Sequence, residues 1–421
     1  MGNKNVLVVG SGISGVASAL ELAHAGVSVY LIEKEAVVGG HSASFCCKAT
    51  DICAKCSACV VYDKIKEAVT HPRIKLLTNA TVRGLGGELG NFHVEIVQQP
   101  RCVDEERCIA CGLCTEVCPA DPKAIYPPFA EAAPFSYVLD ERLCLRSKGE
   151  KCDLCQKTCP TRAIEFELKP KEQELRVDAI IIATGSDVFD ARLKGSLGYG
   201  RYPNVLTGLD LEQVFAREGR LKLLTDGKEP RNIAFVQCVG SRDVSHGYCS
   251  QVCCKYAMKL AGLIKYQNPD TQVTIFYIDL QTAGKGFAQF YEDYKKSIRF
   301  VRGVPVEIMG TASDELELKF EDISQGRVCR DTFDLVVLSV GISPRMNSWD
   351  LARILGINLS DEGFFDVKDS FSPNETNVDG IFVAGTCQGP KDIPDSVAHG
   401  IAAASKAMQV LAESAGERRG H

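Results

Sequence analysis

Two runs of cysteine carry the most specific chemistry in the sequence. The first reads Cys108-x2-Cys111-x2-Cys114-x3-Cys118-Pro119 and the second Cys144-x7-Cys152-x2-Cys155-x3-Cys159-Pro160. Thiolates at Cys-x2-Cys spacing reach one compact iron–sulfur cluster, and in paired runs the fourth cysteine ligates the other cluster. The spacing therefore predicts one [4Fe–4S] site at Cys108, Cys111, Cys114 and Cys159, and a second at Cys118, Cys144, Cys152 and Cys155. A zinc site or a disulfide framework draws on the same residue type, but neither calls for two such runs, each closed by Cys-Pro. The wide gap after Cys144 makes it the least constrained ligand.

Other cysteines fall into two further groups. Cys46-Cys47 precedes Cys53-x2-Cys56-x2-Cys59, a triplet with no nearby fourth partner. Cys46, Cys47 or the stray Cys102 can complete it, and Cys47 is taken as the ligand. The triplet reads as a further [4Fe–4S] cluster, against the plainer reading of buried or redox-active thiols. Cys238, Cys249, Cys253 and Cys254 form the second group. The adjacent pair argues against a simple Cys-x-x-Cys dithiol catalyst, and an atypical [4Fe–4S] site is favoured. Cys329 has no cluster spacing and reads as inert.

The elements that must hold these groups are legible around them. Asn5–Val9 is an apolar run of buried parallel-strand type. It feeds into Gly10-Ser11-Gly12-Ile13-Ser14-Gly15, a helical pattern over Val16–Ala25, and a second strand, Ser28–Ile32, ending at Glu33-Lys34. In that context the glycines allow the tight turn, the approach of backbone to a pyrophosphate and close helix packing, while Glu33 is placed for the ribose hydroxyls. A helix over Tyr62–Val69 and strands over Ile74–Leu77 and Phe92–Val97 follow, around glycine-rich turns. The cluster-bearing insert occupies 101–167, with a proline- and aromatic-rich linker (Ala124–Leu139) that reads as ordered. A strand over Arg176–Ile182 then leads to Ala183-Thr184-Gly185. Asn232–Gln237 is a buried strand, followed by a helix to about Lys265 and a strand over Gln272–Tyr277. This is a second βαβ frame without its glycine fingerprint, and the second cysteine group stands where the pyrophosphate would lie.

Asp334–Val340 and Asp379–Gly385 read as closing strands, the latter leading into Thr386. Pro394–Gly400, with Ser396 and Val397, opens a helix over Ile401–Ala412 whose N-terminus would stabilise negative charge. His399 is a modest catalytic candidate and, more simply, a satisfied helix-start histidine. The tail, Glu413–His421, is charged and expected to fray.

Composition bounds the rest. The 421 residues are 45% apolar and 24% charged with net charge −6, and no basic cluster invites nucleic acid. No signal peptide precedes the first strand, and no apolar run is long enough to span a bilayer. Twenty cysteines without a secretory signal fit clusters in a reducing, anaerobic cytoplasm better than disulfides.

Taken together, the Gly10–Gly15 fingerprint, the Cys108–Cys159 unit, Ala124-Ile125-Tyr126-Pro127-Pro128-Phe129 ahead of Pro134, Gln237-Cys238-Val239-Gly240-Ser241-Arg242-Asp243 and Tyr248-Cys249-Ser250-Gln251-Val252-Cys253-Cys254 resemble the HdrA-like family, the A-type subunits of heterodisulfide reductase, over essentially the whole chain. The resemblance implies an α/β, thioredoxin-reductase-like flavoprotein with two dinucleotide-binding domains and an inserted ferredoxin-like (α+β) two-cluster domain. The expected domains are 1–100 (flavin domain, first part), 101–167 (insert), 168–230 (flavin domain continued), 231–345 (NAD-domain-like module) and 346–421 (flavin domain, second part). The Gly39-Gly40-His41 stretch, Ala183–Gly185 and Gly385-Thr386 are flavin-binding positions by resemblance to that superfamily; a threonine at 386, where many relatives have aspartate, is a departure.

FAD is the implied cofactor, and electron transfer between it and the clusters, with bifurcation or confurcation in some members, the implied activity. Implied partners are B- and C-type redox subunits or ferredoxin- or NADH-handling subunits, with a homodimer as a further expectation. The sequence departs from the long methanogen form in lacking an extra N-terminal domain and a C-terminal ferredoxin domain, so a related soluble complex is expected, such as a benzoyl-CoA reductase or methylene-tetrahydrofolate reductase assembly. Competing readings are a quinone-modifying subunit beside a membrane partner, a self-contained NAD(P)H-dependent flavin reductase, and a scaffold with degenerate sites.

Overall fold

The computed structural model describes residues 4–128, 136–281 and 286–417, with side chains to Glu413. The expectations that fall on Met1–Asn3, on Phe129 and Pro134 of the linking phrase, and on the last residues of the tail lie outside these.

Two units follow one plan. In the first, a five-stranded parallel sheet has the order Ile381–Val383, Ala179–Ile182, Asn5–Val9, Ser28–Ile32, Ile74–Leu77. Alternate residues of its strands serve two cores. Val6, Val8, Ala179 and Ile181 share one with Ala19 and Leu22 of the helix Ile13–His24 and Ala403, Ala404 and Ala407 of the last helix. Leu7, Val9, Ile180 and Ile182 share the other with Phe92, Val94, Ile96 and Leu175 of a three-stranded antiparallel sheet. A strand covered on both faces must be apolar throughout, which is why Asn5–Val9 reads as a continuous run rather than an alternation.

The second unit repeats this arrangement with the order Val205–Thr207, Leu335–Val340, Asn232–Val239, Gln272–Tyr277, Arg299–Arg302. One face packs on the helix Cys253–Gln267, the other on the antiparallel strands Glu307–Gly310, Leu316–Asp322 and Arg327–Phe333. The chain passes between units where Asp187–Val188 pairs with Ile342–Ser343.

Several expected elements change. Arg176–Ile182 is not one strand: Lys171–Val177 belongs to the antiparallel sheet and Ala179–Ile182 to the parallel one. The break is at Asp178, whose carboxylate accepts bonds from Lys4 Nζ and Asn5 N–H, each at 2.8 Å. The glycine-rich stretch read as turns is the strand Ala80–Glu88, bulged between Val82 and Gly84 against Asn91–Gln98. The first helix runs Ile13–His24, the second Ala58–Thr70 and the last Ile393–Glu417. Cys59 is therefore in a first helical turn, and Pro394 sits where its missing N–H costs nothing.

The insert leaves the antiparallel sheet after Gln98 and returns at Lys171, two residues that are themselves paired in register. Its base continues as a short ladder, with Asp104 N–H donating to Ala163 O at 2.7 Å and Glu165 N–H to Cys102 O at 2.9 Å. Beyond that, two short helices, Leu113–Glu116 and Leu154–Thr158, and the strand pair Ile125–Tyr126 with Val138–Leu139 enclose a core of Val103, Ile125, Tyr137 and Ile164 with the cysteines. Because the flanking strands already pair to their ends, replacing 99–170 by an Asn-Gly turn should close an ordinary hairpin. If the insert holds the two clusters its spacing predicts, the product is folded and loses about eight irons per chain, read by anaerobic iron analysis.

Candidate functional site

A cavity of about 730 Å³ opens at the carboxyl ends of the first unit's strands and extends to the second unit. Ser11, Gly15, Gly385 and Val397 stand behind its wall; the remaining predicted positions, Gly10, Gly12, Ile13, Ser14, Glu33, Lys34, Gly40, His41, Ala183, Thr184, Gly185, Thr386 and Ser396, line it. Gly40 approaches so closely that a Cβ there would lie 3.2 Å from Gly12 Cα. Glu33 is buried, and its Oε2 accepts from Ser11 N–H (2.9 Å) and Ser11 Oγ–H (2.7 Å). Its Oε1 accepts one bond, from Glu35 N–H at 3.0 Å, which leaves a lone pair for a further hydroxyl. Thr184 Oγ1 is buried without a partner among the described residues, at a wall where a polar ligand would supply one. These features fit a dinucleotide.

Cys56, Lys255, Tyr256, Lys259, Arg345 and Lys391 face the same space, and of these only Cys56 is marked by its sequence spacing. They come from distant stretches, and only the folded topology collects them. Burial lowers the pKa of Lys391 and of Lys259.

His399 is held by both ring nitrogens. Nδ1 accepts from Gly385 N–H at 2.9 Å, and Nε2 lies 3.0 Å from Pro373 O, so the neutral Nε2–H tautomer satisfies both. Burial, then Lys391, lowers its pKa below 6.5; His41 is lowered likewise, by burial and then Arg345. Below 6.5 the unfolded chain takes these protons before the folded one does, so stability falls as pH drops from 6.5 towards the folded values. Thermal melts across pH 7.5 to 5.5 should show this fall, and His399→Gln should flatten it.

Cysteines gather in the insert and in the second unit. In the insert, Cys118, Cys144, Cys152 and Cys155 line one small cavity with Ala124, Ile125 and Leu139. This set includes Cys144, the ligand its spacing left least constrained. Cys108, Cys111 and Cys114 lie within electrostatic reach of one another and of the Tyr137 hydroxyl. Burial pushes the Cys114 and Cys155 thiols up to about 11. Cys159 accepts Ala163 N–H at 3.3 Å, one of several bonds that hold its pKa down despite some burial. Cys102 is beside Glu141 and Cys144.

In the second unit, Cys238 occupies a bulge between Val236 and Val239 with φ +62°, a device that re-aims a side chain at a sheet end. Cys249, Cys253 and Cys254 lie within electrostatic reach of it. Burial raises Cys238 to about 12 and raises Cys253 and Cys254 as well, with Arg242 opposing this at Cys238. Arg242 is paired with Asp279. Thiols this deeply desolvated become good ligands only when a metal offsets the thiolate charge.

Two features recur in the cysteine loops. Amide N–H groups donate to Cys53, Cys249 and Cys159 Sγ at 3.3 Å, from Lys55, Gln251 and Ala163 respectively; such bonds stabilise thiolate and tune a cluster. Among the described residues, nine non-glycine residues have positive φ, and Lys55, Ser57, Ala110, Arg162, Cys238, Arg242 and Gln251 are all in cysteine loops. Strained backbone of this kind persists where the surroundings demand one geometry. Among the described residues no group of three or more His, Cys, Asp or Glu is arranged for a single metal ion. Such an ion would draw its thiolates within about 4 Å of one another, whereas a multi-iron cluster spaces them more widely.

Fold and site together define an FAD-dependent oxidoreductase that also carries [4Fe–4S] chemistry. The pyridine nucleotide-disulphide oxidoreductase profile matches residues 140–409, the FAD dependent oxidoreductase profile 5–99 and the 4Fe-4S binding domain profile 102–122. The chain belongs to the pyridine nucleotide-disulphide oxidoreductase family, and within it is HdrA-like, akin to the A-type subunits of heterodisulfide reductase. It is 41% identical over 98% of its length to the CoB–CoM heterodisulfide reductase iron-sulfur subunit of A type from Methanocaldococcus jannaschii, covering 65% of that protein. It is 43% identical over 96% of its length to a Methanopyrus kandleri counterpart of the same type, covering 64% of it. The chain thus spans just under two thirds of these relatives. Its fold is that of thioredoxin reductases: TM-score 0.54 and 16% identity to the Lactococcus lactis enzyme, over 98% of this chain and 100% of that one, and 0.51 and 16% to the T. acidophilum enzyme, over 96% and 98%.

Proposed function

We propose that this chain is the FAD- and iron–sulfur-bearing electron-transfer component of a heterodisulfide-reductase-like complex. One observation carries the reading: the end of the second unit's central strand, the nucleotide position of such sheets, presents four cysteines in place of a glycine fingerprint. A flavin takes up electrons in pairs and releases them singly, which is the chemistry that splitting or merging electron pairs would need. The chain's residues supply placement: the Gly10–Gly15 turn and the start of Ile393–Glu417 hold the two ends of the dinucleotide.

Cys108, Cys111, Cys114 and Cys159 hold one cluster of the insert, Cys118, Cys144, Cys152 and Cys155 the other, and Cys238, Cys249, Cys253 and Cys254 an atypical third. Cys53, Cys56 and Cys59 hold a fourth, completed by Cys47. Cys47 is exposed, whereas Cys46 is half-buried beside Glu212; burial, and then Glu212, pushes its thiol up to about 12. Electrons enter or leave through partner redox subunits, in the cytoplasm. Among the described residues no helix is long and apolar enough to cross a membrane.

The test is anaerobic stopped-flow mixing of the purified chain with NADH. No flavin bleaching is expected from NADH alone, and about sixteen irons per chain; fast bleaching would overturn the relay reading.

A further inference from the structure

Between the turn His41–Ser44 and the helix Ala58–Thr70 the chain leaves the first unit and lies across the second. The Phe45 ring stands 6.0 Å from that of Tyr256, and Cys46 N–H donates to Glu212 Oε2 at 2.7 Å. Lys48 and Glu212 form an ion pair whose side chains are 2% and 0% exposed. Lys48 Nζ also donates to Cys46 O at 3.2 Å and lies over the rings of Phe45 and Tyr256 at 5.4 and 5.3 Å. Further on, Tyr266 Oη donates to Asp51 Oδ1 at 2.9 Å, and Lys259 Nζ to Lys55 O at 3.0 Å. Tyr256, Lys259 and Tyr266 all belong to the helix Cys253–Gln267, which begins with two cysteines of the atypical site.

A buried ion pair adds little net stability, because desolvation offsets the attraction, yet it is steeply orientation-dependent: any displacement separates two charges in a poor dielectric. We propose that residues 45–57 are a strap and that Lys48 and Glu212 are its lock. As positioning residues they hold the second unit in one orientation over the cavity. Cys56, on the strap, and Cys253, on the second unit's helix, both line that cavity, and the lock fixes both distances to the flavin. The inference rests on the reading that these cysteines hold clusters.

The test compares the full chain with Glu212→Gln and with the double variant Lys48→Met/Glu212→Leu, which refills the site with apolar volume. FAD and iron content are measured, then hydrogen exchange of the 45–57 amides, then the rate at which electrons placed on the flavin by light reach the clusters. The double variant should keep its cofactors and its melting temperature while its strap amides exchange about tenfold faster or more and flavin-to-cluster transfer slows by about tenfold or more. Unchanged exchange and transfer in that variant would overturn the proposal, whether or not Glu212→Gln folds. If Cys56→Ser leaves iron content unchanged, the cluster reading at the triplet fails, and the exchange measurement still decides the strap.

Discussion

Cys253→Ser should remove about four irons per chain and leave the flavin bound. Cys253 is 7% exposed, at the start of its helix, with Cys238, Cys254 and Cys249 as its electrostatic neighbours. Serine keeps the volume but is a poor ligand for iron, so the three remaining thiols lose the charge compensation that lets them ionise. The cavity should survive, because its floor is the first unit's strand ends and Cys253 borders it from the other unit. Anaerobic iron and FAD analysis separates the two effects. Cys329→Ser is the control: it lies on an antiparallel strand far in sequence from every cysteine group, and neither content should change. Unaltered iron in Cys253→Ser would sink the atypical site.

Gly12→Ala and Gly15→Ala should both abolish tight flavin retention, for different reasons that melting curves distinguish. A Cβ on Gly12 meets nothing within 4 Å, and its φ of −65° suits any residue. The flavin-free chain should therefore melt unchanged, while the methyl group occupies the approach of backbone to pyrophosphate. A Cβ on Gly15 would lie 1.9 Å from Gly10 O, so the turn must open. Overpacking of that kind costs about 1–3 kcal/mol, and the flavin-free chain should melt lower. Equal melting temperatures for the two variants would contradict this.

The turn is legible in sequence for the same reason the substitutions are severe: its constraint is on the backbone, and only glycine records it. The Cys-Cys pair at 253 and 254 is legible because no ordinary helix start calls for it. Other features left no local mark. Asp178 divides two sheets, yet in sequence it interrupts an apolar run no more than a solvated residue would. The strand Ala80–Glu88 hides behind glycines whose role is a bulge and a close approach to Glu95. Lys48 and Glu212 are ordinary surface types until the fold buries them together from distant parts of the chain. Lys255, Tyr256 and Lys259 reach the cavity only because the second unit folds back over it.

The insert is anchored by both of its ends to neighbouring, paired strands, and a third point is added by Arg101, which bonds Ala36 O of the first unit and, at 2.6 Å, Ser136 Oγ of the insert. A carrier domain on a flexible linker loads at one place and discharges at another, and its turnover depends on how fast it swings. Held at three points, this insert has no such stroke. Under the proposed function it is fixed wiring to which a partner must come, with throughput set by docking and by potentials rather than by diffusion of a tethered arm.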